Sequence, residues 1–239
     1  MRSYQQTRAL VVHRYAPLAS GNTPVLLFTE IYGMRRVLVK GLASGKSVMA
    51  SRIDPLLLLD VQFYGLDSAT MLTGAAPLHR YADHALPYAA IEALWAVLGL
   101  LSTLVPEEEP HAEIFEHLCL FLSLLNTAQH PEVLSIMMQM QLLDALGHMH
   151  VSRQCMHCQT DLVGETHLHL RPRDMLFLCG SCAKKLSTAV EVQPIDPLVY
   201  KSLHVFVTKP LSMGAMLSVP AEILLSVQKI LEERRRALS

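Results

Sequence analysis

Pro24-Val-Leu-Leu-Phe-Thr-Glu-Ile-Tyr-Gly-Met-Arg-Arg-Val-Leu-Val-Lys40 reads as two short strands around a break. Residues 24–29 and 35–40 are apolar or β-branched runs, and Tyr32-Gly33 has the composition of a turn. Working outward, residues 8–13, 56–64 and 69–73 are runs of the same kind. They are separated by Ser20-Gly21-Asn22, by a glycine-containing stretch over 41–47 and by Gly65-Leu66-Asp67. Short strands at this spacing, with no helical period between them, predict a sheet that closes on itself.

Five strands fit a small barrel over residues 1–78, and the OB-fold is the commonest nucleic-acid-binding barrel of that size; an SH3-like barrel fits the same pattern. From about Leu78 the apolar period becomes helical. Helices are expected near 87–105, 111–127, 131–150, 197–207 and 219–237, with Pro87, Pro106, Pro110 and Pro131 as punctuation. The fold class is therefore α+β: an N-terminal barrel followed by a helical domain over 79–150 and 186–239, with residues 151–185 inserted. Residues 89–105 carry only Glu92 as a charge, but a membrane-spanning helix needs about 20 residues, so a buried bundle helix is expected. Glu107-Glu108-Glu109, in the proline-flanked link, is expected to be a solvated turn.

The inserted segment holds the strongest chemical signal. Cys155 and Cys158 form one Cys-x-x-Cys knuckle, and Cys179 and Cys182 form a second one twenty residues later. Two residues between thiolates let both reach one ion, and two such knuckles supply four sulfurs, a set that suits zinc (Zn2+). Four protein ligands leave no position for a reacting water, so the site reads as structural. Two disulfides or an iron–sulfur cluster are the alternatives. His157, His167 and His169 lie nearby and read as satisfied surface histidines. The fifth cysteine, Cys119, lies in an apolar run and reads as a buried free thiol. Together with the absence of an apolar leader in the first residues, it points to a reducing, cytoplasmic setting.

The net charge of −1 conceals a segregation. Residues 1–80 carry nine basic against four acidic residues, residues 81–150 carry nine acidic and no Lys or Arg, and residues 151–239 carry eleven basic against eight acidic. Phosphate binding depends on local charge rather than on the total. Arg35, Arg36, Lys40, Lys46 and Arg52 concentrate on two expected strands and their loop and are the candidate DNA-binding residues. Strand alternation puts Arg36 and Lys40 on one face and Arg35 on the other. Phe28, Tyr32, Phe63 and Tyr64 are nearby rings, of the kind on which single-strand binders stack bases, although rings in short strands more often face a core. Lys184, Lys185 and Arg234-Arg235-Arg236 are further cationic groups.

No catalytic set is present in the pattern. Gly41-Leu42-Ala43-Ser44-Gly45-Lys46-Ser47 ends like a phosphate-binding loop but has three residues between its glycines where the P-loop needs four, so it reads as a hairpin loop carrying a lysine. Gly-x-Ser-x-Gly and His-Glu-x-x-His are both missing.

The run Ala9 to Arg14, then Leu26-Leu27-Phe28-Thr29-Glu30 with Gly33, Arg36-Val37-Leu38-Val39-Lys40-Gly41, Lys46-Ser47 and Asp54-Pro55-Leu56, resembles the N-terminus of the bacterial RecO recombination and repair proteins. The order of barrel, apolar helices and four-cysteine segment is similar to that family as well. The resemblance implies an OB-fold that binds single- and double-stranded DNA and anneals complementary strands. It also implies help in loading RecA onto strands covered by single-strand-binding protein, complex formation with RecR, a nucleoid-associated cytoplasmic location and no covalent catalysis. The family's arginine-rich loop after Lys-Gly is reduced here to Leu42-Ala43-Ser44-Gly45-Lys46, which implies fewer displaced counterions and a shallower salt dependence. A reading outside DNA binding is a protein-interaction scaffold that works through the acidic, apolar residues 81–150.

Overall fold

Two runs, Ala9-Leu10-Val11-Val12 and Val25-Leu26-Leu27-Phe28, are apolar without alternation, so their strands must be covered on both faces. The computed structural model, which describes residues 3–42, 49–66, 69–82, 85–172, 174–186 and 192–238, shows how. Strands β1 (Ser3–Arg14), β2 (Asn22–Thr29), β3 (Gly33–Lys40), β4 (Leu57–Leu66) and β5 (Ala69–Arg80) close in the order β1-β2-β3-β5-β4. Every pairing is antiparallel except β3 with β5. Alternate residues fill the interior: Val11, Val25, Leu27, Val37, Val39, Leu59, Val61 and Phe63 are all buried. Each such side chain contributes about 1.5–3 kcal/mol by leaving water.

The opposite parity on β1 and β2 (Leu10, Val12, Leu26 and Phe28) is buried too. Its cover comes from α1 (Tyr88–Leu104), packed on β1, and α2 (Ala112–Leu125), whose Phe115 ring lies 5.7 Å from that of Phe28. The chain accordingly divides into compact units Met1–Asn126 and Thr127–Ser239. The division falls after α2 rather than near residue 78, because the strands need these helices as their second wall.

All five strands outrun their expected limits, β1 and β5 by the most. The polar Ser3–Thr7 part of β1 pairs with the far end of β4, a ribbon that apolar pattern alone does not reveal. β5 continues through Gly74 and Pro77 to Arg80 because register shifts against β4 absorb both breakers. Residues 43–48, with the Lys46 loop, lie outside the described residues.

Arg8, on β1, ties this unit together. Its Nη2 and Nε donate to Glu30 at 2.6 and 2.8 Å, and Nη2 also donates to Glu116 on α2. The hydrogen bonds from Arg8 hold the Glu30 carboxyl below its ordinary range. A depressed folded-state value means that this contribution is fully present above the unfolded value of about 4.3 and is lost as pH falls through the folded one. Arg8→Gln is expected to be less stable than the parent at pH 7, with the gap narrowing as pH falls below about 4.3. Urea melts followed by circular dichroism across that window check it; a gap that stays constant excludes the linkage.

In the second unit, α3 (Pro131–Ala145) is buried on nearly every side and is surrounded by α5 (Pro197–Thr208), the short α6 (Leu211–Gly214) and α7 (Ala221–Leu238). It stops short of residue 150 because Gly147 adopts φ +72° and closes a Schellman cap: Gly147 N donates to Asp144 O at 2.9 Å and His148 N to Leu143 O at 2.8 Å. Gln141 Nε2 donates to the carbonyls of Phe206 and Lys209 at 2.9 and 2.8 Å, satisfying the C-terminal end of α5. Strands β6 (Leu168–Arg171), β7 (Leu176–Cys179) and β8 (Gln193–Ile195) form a small sheet in the order β7-β6-β8, followed in chain order after β7 by α4 (Gly180–Leu186). No helix among the described residues is long and apolar enough to cross a membrane.

Candidate metal centre and nucleic-acid interface

The first knuckle is a tight turn. Cys155 N donates to Thr160 O and Gln159 N to Cys155 O, both at 2.8 Å, with Gln159 at φ +60°. The second knuckle begins at the end of β7 and runs into α4. Here Gly180 is required by close approach, since a Cβ there would stand 2.9 Å from the His167 Cβ. The two knuckles are joined by Met156 N donating to Phe177 O at 3.0 Å and Cys179 N donating to Cys155 Sγ at 3.4 Å.

All four sulfurs lie within 4.8 Å of one another, three of them on buried residues and Cys158 exposed. A tetrahedral zinc with Zn–S bonds of about 2.3 Å puts its sulfurs about 3.8 Å apart. Cys158 and Cys179 stand 3.7 Å apart, far beyond a disulfide bond of about 2.05 Å, so the two-disulfide alternative does not describe this site. The donor set fits a single thiophilic ion with no open position.

The surroundings are uneven. Hydrogen bonds from Thr160 bring the Cys158 thiol down to about 6. The Ser181 hydroxyl lowers Cys179, while burial pushes Cys182 up to about 12. A cation at the centre would supply the charge that buried Cys182 needs in order to ionise. His157 stands outside the set with Nδ1 3.7 Å from Cys182 Sγ, a contact to a sulfur rather than to an ion. The sequence reading had named His157 only as a satisfied histidine, and Thr160 and Ser181 had no place in it. The hydroxyls two residues beyond Cys158 and Cys179 were the signal.

On the barrel, β3 carries Arg36 and Lys40 outward, with Arg35 on the parity of Val37 and Val39. The expected cluster is only partly assembled as free charge. Arg35 Nη1 donates to Glu108 at 2.5 Å and Arg36 Nη2 to Glu107 at 2.9 Å, so the acidic link is exposed, as expected of a solvated turn, and is also paired with β3. Met34 pairs with Glu107 as a parallel β-bridge, and Glu108 N donates to Met34 O at 2.9 Å. Arg52 Nη1 donates to the Ala75 carbonyl at 2.7 Å and is a brace across the barrel. Lys40 is exposed and makes no ion pair among the described residues, and Lys46 lies outside them.

Of the four rings considered for stacking, Phe28 and Phe63 are fully buried and belong to the core. Tyr64 pairs with the exposed Tyr4 at 5.6 Å, and Tyr32 lies 5.9 Å beneath the Arg35 guanidinium. A group missed in the sequence is Tyr15, which lies 5.2 Å under Arg36 and 4.5 Å from His13. In the second unit, Arg234 Nε donates to His148 O at 2.5 Å and ties α7 to the end of α3, while Arg236 pairs with Glu232 at 3.7 Å on the exposed face of its own helix.

Comparisons with known proteins agree on one family. The chain is similar to the DNA repair protein RecO of Bacillus subtilis (strain 168), 25% identical over 126 residues that cover 53% of this chain and 47% of that protein. It is similar to DNA repair protein RecO of Haemophilus influenzae (strain 86-028NP), 31% identical over 144 residues covering 59% and 58%. DNA repair protein RecO of Bacillus velezensis is 29% identical over 100 residues, covering 42% and 37%. The matches thus span about half the length of these relatives. The family model described as recombination protein O C terminal matches residues 88–235, more than half of the sequence, and the chain therefore belongs to the RecO family.

Proposed function

We propose that this chain is a DNA repair and homologous-recombination mediator that binds single- and double-stranded DNA, anneals complementary strands and assists RecA loading together with RecR. The observation that carries the reading is the family match over residues 88–235. A second support is the barrel order β1-β2-β3-β5-β4, the connectivity of an OB-fold, whose open face accepts single strands in many proteins.

In this reading Arg35, Arg36, Lys40 and Lys46 contact phosphates, while Arg52 adds positive potential from its fixed place on Ala75. Tyr15 and the Tyr4–Tyr64 pair offer ring faces to bases at about 1–3 kcal/mol each. The mediator needs no covalent chemistry of its own: cations screen the repulsion between two phosphate backbones, and base pairing supplies the specificity of annealing. Cys155, Cys158, Cys179 and Cys182 hold a structural zinc, which when bound supplies folding energy to a segment with little core. Single-strand-binding protein and RecA are the other expected partners.

Oligonucleotide affinity of zinc-replete protein, measured by anisotropy against salt, tests the reading. Arg36→Gln with Lys40→Gln is expected to weaken binding and to flatten the slope of log K against log salt by about 1.4 for single strands, about 0.7 per phosphate contact. Unchanged affinity and slope in a folded double variant would place the DNA elsewhere. The scaffold reading is favoured by one observation, that Arg35, Arg36 and Arg52 are all engaged within the chain. It expects no annealing at any salt, and capture of a protein partner that survives DNase.

A further inference from the structure

The acidic link between α1 and α2 lies along the very strand whose cations are assigned to phosphate. Backbone pairing with β3, a close approach to Gly33 and two ion pairs place it there. The Met34–Glu107 bridge and the Glu108 N to Met34 O hydrogen bond fix its backbone. Glu108 adopts φ +70°, uncommon for a residue with a side chain and a mark of positions that the surroundings over-determine. Gly33, at φ +67°, leaves no room for a Cβ against the Glu109 backbone. Two carboxylates then meet two successive guanidiniums, Glu108 on Arg35 and Glu107 on Arg36.

We propose that Glu107 and Glu108 act as an internal phosphate mimic, occupying Arg35 and Arg36 in the free protein, and that a DNA strand gains these arginines by displacing the two carboxylates. This rests on the reading of the barrel as the DNA-binding unit. Carboxylate and phosphate oxygens compete for the same guanidinium fork, and the phosphate offers the more concentrated charge along a strand. The exchange is a light one at Glu107–Arg36, where both partners are on the surface and exposed pairs are weak, and a heavier one at Glu108–Arg35, whose guanidinium is only 20% exposed. The backbone bonds need not break: only side chains swing, and the link stays on Met34 as a tethered competitor. The device raises the threshold for binding, so that a strand making several contacts at once is accepted, while an isolated anion does not displace the pair.

The test is a comparison of oligonucleotide affinity at fixed low salt among the parent, Glu107→Gln/Glu108→Gln, and Glu92→Gln/Glu113→Gln, which makes the same change in net charge at exposed positions on α1 and α2. The first pair is expected to tighten binding about three- to tenfold, the range of two such pairs, and the control pair less than twofold. In an Arg35→Gln/Arg36→Gln background the gain from the glutamate substitutions disappears. Equal tightening by both pairs, or a gain that survives loss of the arginines, would show long-range charge rather than competition and overturns the mimic while leaving the DNA reading in place. Binding by the parent that E107Q/E108Q leaves unchanged also overturns the mimic and leaves the DNA reading in place. If none of the folded variants binds, the DNA reading fails and the mimic fails with it.

Discussion

Protein carrying Cys179→Ser is expected to purify with well under one equivalent of zinc and with its second unit largely unfolded. Cys179 is a hub: its sulfur stands 3.7 Å from that of Cys158, its amide donates to Cys155 Sγ, and its backbone closes the β6–β7 pairing opposite Leu168. Zinc bound by peptides of this kind contributes about 10–16 kcal/mol of apparent free energy, as large as the whole stability of an ordinary domain at about 5–15 kcal/mol. Metal analysis and limited proteolysis check the result together: cleavage is expected throughout the second unit, Thr127–Ser239, while the first remains protected. A chelator should reproduce the pattern in the parent. Stoichiometric zinc and an unchanged melting temperature in C179S would mean that three ligands suffice and that the fourth position is open to chemistry.

Gly33→Ala is the second large effect. Left-handed backbone costs an ordinary residue about 1–2 kcal/mol, and a methyl group forced into packed backbone costs about 1–3 kcal/mol more. Gly21 provides the control. It has φ +77° and nothing within 4 Å of the site of a Cβ, so Gly21→Ala incurs the conformational cost alone. Denaturant melts should therefore place G33A about 2–5 kcal/mol below the parent and G21A about 1–2 kcal/mol below. Equal losses would show that the acidic link does not press on Gly33 in solution.

The elements were legible where one physical cause dominates. Strands β2 and β3 followed from apolar runs around a glycine turn, and the start of α3 from Pro131, which the structure places in the first turn of that helix. The four cysteines announced their own cluster because ligand spacing is local. Less visible was whatever depended on distant partners. Glu107-Glu108-Glu109 looks like any solvated run until β3 is placed beside it, and charge complementarity over some seventy residues has no local signature. The grouping of α1 and α2 with the strands had a trace in the unalternating Ala9–Val12 and Val25–Phe28 runs, which apolar content alone registers only as strand.

That double burial has a bearing on synthesis. Chains fold in the order in which they leave the ribosome, domain by domain. Strands β1 and β2 emerge first, yet Phe115, which covers Phe28, follows far behind them. The nascent polypeptide therefore carries a greasy flank of Leu10, Val12, Leu26 and Phe28 through most of the making of its first half. Chaperone capture during translation has its natural target there, and the barrel is finished only when the second helix arrives.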